Sequence, residues 1–187
     1  QGINLWEEFG PTAFATRIRA EAMRDFGASM SPMNAFLLLQ GIETLSLRMD
    51  KHLSNTASML EFLINHKQVS WVSHPSMPSH SSHELAKKYL PKGAGSIVSF
   101  GVVGGREAGK AFIENVELAS HLANVGDAKT LIIHPATTTH SRIDAEALVA
   151  AGITEDMIRL SVGLEDVRDL QADFEVGFRA AKKIAGL

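Results

Sequence analysis

The 187-residue chain contains no cysteine. That single absence excludes disulfides, thiolate metal sites and a cysteine nucleophile, and it fits a cytoplasmic protein. No basic excess exists either. The net charge is −3 and the pI about 6.2, so there is no field to draw nucleic acid or anionic lipid to the surface. No run approaches the roughly 20 apolar residues of a membrane span, and no signal-peptide pattern stands at the start. A Gly-x-Ser-x-Gly elbow is missing, which leaves a serine hydrolase without a nucleophile. The first residue is Gln1 rather than methionine, and the opening reads as the middle of a longer protein. What is present is an ordinary soluble composition, 45% hydrophobic and 21% charged, long enough for one domain or a domain with an appended segment.

Along the chain, Pro11 opens an expected helix that runs to Met23, after a possible single turn at residues 7–9. Ser31-Pro32 is a strong helix start, a serine cap followed by proline at the first helical position. Leu38, Ile42, Leu45, Met49, Leu53, Leu60 and Ile64 then recur at helical spacing with no further proline. One helix of about thirty residues is expected here, long enough to bridge two substructures. Beyond it, residues 69–73, 96–102, 130–134 and 157–163 read as strands rich in Val and Ile. They alternate with helices at 84–89, 107–116, 144–150 and 166–184. Four strands interleaved with helices predict a two-layer α/β sandwich with the helices on one face of the sheet.

Two groups of residues invite a functional reading that they do not carry. Gly104-Gly105-Arg106-Glu107-Ala108-Gly109-Lys110-Ala111 mimics a phosphate loop, but Ala111 stands where Ser or Thr must reach magnesium. A strand-to-helix turn is the better account. The eight histidines lack ligand spacing: His80 and His83 fall in a serine-rich loop, and His134 and His140 flank Pro135 with no carboxylate nearby. Solvated or hydrogen-bonded imidazoles are expected, and no metal.

The strand Met157-Ile158-Arg159-Leu160-Ser161-Val162-Gly163-Leu164 alternates strictly. Ile158, Leu160, Val162 and Leu164 make one apolar face, so Arg159 and Ser161 project from the other. A guanidinium in an otherwise apolar strand is costly unless paired, because it cannot lose its proton. The pattern alone leaves two accounts equal: a structural arginine that bridges to an acid elsewhere in the fold or simply faces solvent, or an anion-binding group. The segment after the preceding strand, His134-Pro135-Ala136-Thr137-Thr138-Thr139-His140-Ser141, is rich in small donors and acceptors, and binding groups collect in such loops.

Taken together these segments resemble a family. Ser31-Pro32-Met33-Asn34-Ala35-Phe36-Leu37-Leu38-Leu39-Gln40-Gly41-Ile42-Glu43-Thr44-Leu45-Ser46-Leu47-Arg48-Met49 is similar to the bridging-helix signature of the Cys/Met-metabolism pyridoxal-phosphate enzymes. Gly126-Asp127-Ala128-Lys129-Thr130-Leu131, with His134-Pro135-Ala136 and Thr139-His140-Ser141, resembles the second signature. Ile158-Arg159-Leu160-Ser161-Val162-Gly163-Leu164-Glu165-Asp166 resembles the third. Lys88-Tyr89-Leu90-Pro91-Lys92-Gly93-Ala94-Gly95-Ser96-Ile97 is similar to the O-acetylhomoserine sulfhydrylase branch.

The resemblance implies the carboxy-terminal domain of a fold-type I pyridoxal-phosphate enzyme: a small, mainly antiparallel sheet with helices on one face, preceded by a long bridging helix. Residues 1–30 would end the large cofactor-binding domain, 31–66 form the bridging helix, and 67–187 form the carboxy-terminal α/β domain. It implies that Arg159 clamps the substrate α-carboxylate, with Asn124 and Thr139 beside that carboxylate or the cofactor. Many relatives carry serine where Asn124 stands, and His74-Pro75-Ser76 replaces the usual Tyr-Pro-Gly. The implied cofactor is pyridoxal 5'-phosphate. No segment matches the family's attachment lysine or its glycine-rich phosphate cup, so no catalytic or cofactor-binding residue is expected in this chain, and the fragment alone is expected to be inactive. The implied reaction is replacement of the acetate of O-acetylhomoserine by sulfide or a thiol, in a cytoplasmic homotetramer built from dimers. The alternatives are a methionine γ-lyase, a cystathionine γ-synthase or lyase, or a non-catalytic ligand-binding or assembly module.

Overall fold

Helix starts in the first part of the chain follow its polar caps. Asn4 accepts a hydrogen bond from Trp6 N at 3.1 Å and opens α1, Leu5–Phe9, in the computed structural model, which describes residues 2–186. A 3-10 turn at Gly10–Thr12 leads into α2, Ala13–Arg17, and a wider π turn at Ile18–Met23 into α3, Arg24–Phe26. The helix expected from Pro11 to Met23 is therefore present but changes winding twice. Ser31 caps as its sequence predicts, its hydroxyl accepting from Asn34 N at 3.2 Å, and α4 runs Pro32–Glu43.

The single thirty-residue helix is instead two helices. Thr44 leaves helical geometry at φ −102, ψ 5, and its N–H turns back to Ile42 O. That breaks the backbone ladder before α5, Leu45–Ile64. By its internal contacts the chain divides close to this point into two units, Gln1–Leu45 and Ser46–Leu187.

The second unit is built on β1 (Val69–Ser73), β2 (Ile97–Val102), β3 (Ser120–His121), β4 (Leu131–Ile133) and β5 (Met157–Ser161). Their order across the sheet is β1-β2-β5-β4-β3. All neighbours are antiparallel except β3 and β4. The sequence anticipates four of these strands. The fifth, β3, is a two-residue polar edge strand with no apolar alternation to announce it. Between the strands lie α6 (His83–Tyr89), α7 (Gly105–Asn115) and α8 (Ala145–Ala150), and α9 (Val167–Ala185) ends the fold. Asp166 caps α9 by accepting from Arg168 N. The Arg168 guanidinium holds that carboxyl far below the usual carboxylate range.

Alternation decides which face of the sheet is covered. Val98, Phe100, Val102, Ile132, Ile158, Leu160 and Val162 are buried against Met59, Leu60 and Leu63 of α5, Phe112 of α7, and Leu170, Phe174 and Phe178 of α9. Phe100 and Phe112 meet edge-on at 5.8 Å, and Phe112 packs on Phe178 at 4.7 Å. Loss of one such ring costs about 3–5 kcal/mol. Among the described residues, no helix is long and apolar enough to cross a membrane.

Candidate functional site

On the face of the sheet away from α5, α7 and α9, β4 contributes the buried Leu131 and Ile133 while β2 and β5 contribute polar groups. Residues directly opposite in an antiparallel ladder share a face, so Arg159 stands with Ser99 of β2 and Ile133 of β4 on that open side. Arg159 is partly buried. No hydrogen bond or ion pair links its guanidinium to another described residue. An ion pair with a described acid is therefore not observed, and the partly buried guanidinium fits both solvent contact and anion binding. Two residues on, Ser161 is 3% exposed, and its hydroxyl has no hydrogen-bond partner among the described residues.

Near one end of this face a second polar group closes over β2. Asp156 Oδ2 accepts from Ser70 Oγ at 2.9 Å and from Trp71 Nε1 at 3.0 Å. These three groups occupy the space where a Cβ at Gly101 would lie, which is why the strand carries glycine there.

Thr139 lies in the loop that leaves β4. Ile133, the last residue of β4, pairs with Arg159, so this loop departs from the sheet beside the arginine. The loop is tightly wound: a 3-10 turn at Pro135–Thr137 is followed by bonds from Thr138 N and His140 N to Pro135 O at 3.2 and 2.9 Å. Thr139 is exposed, and its hydroxyl shares a 2.8 Å hydrogen bond with His140 Nδ1.

Behind the loop sits His134, fully buried. Its Nε2–H donates to the Glu155 carbonyl at 2.8 Å, which fixes the tautomer, and Nδ1 accepts from Thr137 Oγ1 at 2.9 Å. Burial lowers its pKa below the usual histidine value. The Glu155 carbonyl opposes that shift, and the Arg106 charge adds to it. His74 is lowered in the same way by burial, while donating to the Gly95 carbonyl.

Asn124 lies in the loop 122–130 between β3 and β4. Its side chain serves that loop: Oδ1 accepts from Val125 N at 2.8 Å and Nδ2 donates to Asp127 at 3.4 Å. Each end of the segment is held by a carboxylate. Asp173 of α9 accepts from the backbone N–H groups of Glu117, Leu118 and Ala119 at 2.7, 3.1 and 3.0 Å. Glu165 accepts from Thr130 N and Thr130 Oγ1, both at 2.7 Å. Bonds to an ionised acceptor are about twice as strong as neutral ones.

Among the described residues no hydrogen bond joins Arg159, Asn124 and Thr139 to one another. The topology brings the loops of the latter two to the β4 side of the arginine. No group of three metal-ligating side chains occurs among the described residues. His134, Arg106, Glu155 and Asp173 are not among the site residues expected from sequence. Each has at least one partner twenty or more positions away in sequence, which no local pattern announces.

Over residues 11–179 the chain matches the family described as Cys/Met metabolism PLP-dependent enzyme. The chain belongs to that family. It is 49% identical over 180 residues to a sulfhydrylase of Fusarium oxysporum f. sp. lycopersici, covering 96% of this chain and 42% of the relative. It is 47% identical to the homocysteine synthase of Schizosaccharomyces pombe, with the same coverage. Identity to O-acetyl-L-homoserine sulfhydrylase 1 of Thermus thermophilus is 46%, covering 93% of this chain and 41% of that protein. The chain therefore spans well under half the length of these relatives.

Among solved structures, a Campylobacter jejuni protein assigned as an O-acetylhomoserine (thiol)-lyase, which carries a pyridoxyl-lysine monophosphate, superposes with a TM-score of 0.84 at 41% identity, covering 95% of this chain and 42% of that one. Cystathionine gamma synthase of Xanthomonas oryzae pv. oryzae follows with a TM-score of 0.76 at 36% identity, covering 85% of this chain and 41% of its own. The cofactor of the family, in the full-length enzyme, is pyridoxal phosphate. The open face fits one half of such a site. It carries a guanidinium, Arg159, that makes no hydrogen bond or ion pair to another described residue.

Proposed function

We propose that this chain is the substrate-anchoring part of a pyridoxal-phosphate-dependent enzyme that replaces the acetate of O-acetylhomoserine with sulfide or a thiol. The observation that carries the reading is the Arg159 guanidinium, set in an apolar strand on the face away from the core, with no partner among the described residues. A cation so placed, in a family that acts on amino acids, suits an α-carboxylate. Two parallel N–H···O bonds from its fork fix both the position of the substrate and its rotation about the α-carbon. Thr139 adds a hydroxyl from the loop beside it, and the Asn124 loop closes the far side of β4. The side chain of Asn124 is spent on its own turn, so its contact with substrate runs through backbone.

In the reaction the Cγ–O bond breaks and acetate leaves with the electron pair. Hydrosulfide or a thiolate then forms the Cγ–S bond, giving homocysteine or its thioether. Bound pyridoxal phosphate supplies the electron sink that acidifies the α- and β-hydrogens. The attachment lysine and the phosphate cup belong to polypeptide outside this chain, so the isolated chain is inactive. We assign the working enzyme to the cytoplasm as a homotetramer built from two dimers. The character of α4 supports an assembled state: Phe36, Leu37, Leu38, Leu39 and Ile42 are all more than half exposed, and a helix that is apolar all round requires cover.

The test is Arg159→Ala in the full-length enzyme. Loss of the fork removes about 3 kcal/mol of substrate stabilisation, roughly a hundredfold in kcat/KM. Lysine at this position recovers only part, since it keeps the charge and loses the second bond. Near-normal kinetics with O-acetylhomoserine would end the assignment. Acetate release measured with and without sulfide separates the replacement reaction from a γ-elimination, which needs no thiol.

A further inference from the structure

The glycine-rich turn before α7, which mimics a phosphate loop, has another use. Arg106 projects from the first turn of α7 and makes two bonds of different kinds: Nη1 donates to the Glu155 carboxylate at 2.7 Å, and Nη2 to the Ala136 carbonyl at 3.2 Å. One turn on, Gly109 has no Cβ, and the space that a Cβ would fill is occupied by the His134 ring. The ring is clamped in turn between the Glu155 carbonyl and Thr137 Oγ1. Thr138 Oγ1 closes back on the His134 carbonyl at 2.8 Å. Backbone or side chain of 134, 136, 137 and 138 is therefore tied, and the next residue is Thr139.

We propose that Arg106, Glu155 and His134 form a positioning assembly that sets the loop carrying Thr139 against the carboxylate bound at Arg159. None of the three touches substrate. They act from behind the loop, so that its conformation is fixed before ligand arrives and little ordering is left to oppose binding. Arg106 is the most informative member. Its side chain is 42% exposed, so its replacement removes two tethers without opening the core. The inference rests on the carboxylate-binding reading of Arg159 given above, and its test keeps the two apart.

The experiment uses the full-length enzyme with cofactor bound, assayed by homocysteine formation from O-acetylhomoserine and sulfide. Arg106→Gln is expected to raise KM for O-acetylhomoserine about tenfold while kcat stays within about threefold, the mark of lost ground-state binding. Arg106→Lys, which can satisfy only one of the two acceptors, is expected to fall between. In a Thr139→Ala background, Arg106→Gln is expected to add less than about twofold, because the tether acts through that residue. A wild-type KM in Arg106→Gln overturns the proposal, as does a full tenfold effect in both backgrounds. His134→Gln is the second probe: its amide nitrogen can reach the Glu155 carbonyl, so a KM effect smaller than that of His134→Ala is expected, and equal effects count against the proposal. If Arg159→Ala is itself silent, the carboxylate reading fails. If Arg159→Ala is crippled while Arg106→Gln is normal, only the positioning assembly fails.

Discussion

Replacing Asp173 by alanine tests how the Asn124 segment is held. This carboxylate is 9% exposed and accepts three successive backbone N–H groups, at 2.7, 3.1 and 3.0 Å. Glu117 and Leu118 lie at the surface, and their N–H groups regain water when the acceptor is lost, so each costs only about 0.5–1 kcal/mol. Ala119 is 4% exposed. Its N–H is left buried and unpaired, which costs about 1–3 kcal/mol. The local total is about 3 kcal/mol, close to a hundredfold in the opening equilibrium of residues 116–122. Amide hydrogen exchange followed by mass spectrometry reads this directly. Exchange in 116–122 is expected to quicken about a hundredfold, while peptides from β2 and the middle of β5 stay protected. Asp173→Asn keeps one acceptor oxygen and is expected to lose about half as much. Unchanged exchange would refute the reasoning. Uniform acceleration across the sheet would refute it too, since the carboxylate would then be supporting the whole core rather than one strap.

Two further outcomes follow from the same contacts. Gly101→Ala drives a methyl group into Asp156, Trp71 and Ser70; a loss of about 1–3 kcal/mol is expected for overpacking, with a red shift of Trp71 emission, and an unchanged denaturation midpoint would count against the cluster. The three lowered histidines, His66, His74 and His134, share a sign. Burial is the first cause in each; Glu175 faces His66 and opposes the shift, His80 faces His74, and Arg106, Glu155 and Asp156 face His134. A folded pKa below the unfolded value of about 6.5 means that the stabilising contribution is complete above pH 6.5 and is lost as pH falls through the folded values. The thermal midpoint is expected to drop between pH 7 and pH 5, and a midpoint that rises over that interval would contradict the assignment.

Elements with a strong period of their own were legible. The alternation of 157–164 places Ile158, Leu160 and Val162 in the core, because a half-buried strand can satisfy both faces in only one way. The four longer strands and the helices that separate them follow from such patterns to within one or two residues at most ends. Elements made by distant partners were not. β3 has two residues, Ser120 and His121, and exists because Asp173, more than fifty positions away, gathers the amides just before it. The break at Thr44 interrupts a run whose apolar spacing continues without change, so spacing alone predicts one helix where the backbone makes two.

The site divides along the same line. Arg159 stood out in the sequence from the cost of a guanidinium in an apolar strand, with a structural and an anion-binding account left equal, whereas the groups that tie the neighbouring loops did not, because their main partners lie far away in sequence. Asp173 and Glu165 hold the two ends of the segment bearing Asn124, and Arg106 and His134 hold the loop bearing Thr139. Asp156 is spent on Ser70 and Trp71, and Glu155 on Arg106. Each of these acids had the charge to neutralise an arginine on the open face, and each is committed elsewhere by hydrogen bonds of 3.1 Å or less. An acid free to swing onto Arg159 would compete with any incoming carboxylate for the same fork. Holding these acids on backbone amides, hydroxyls, the indole and the Arg106 guanidinium removes that competitor, and it leaves the Arg159 guanidinium available to water or to an incoming anion.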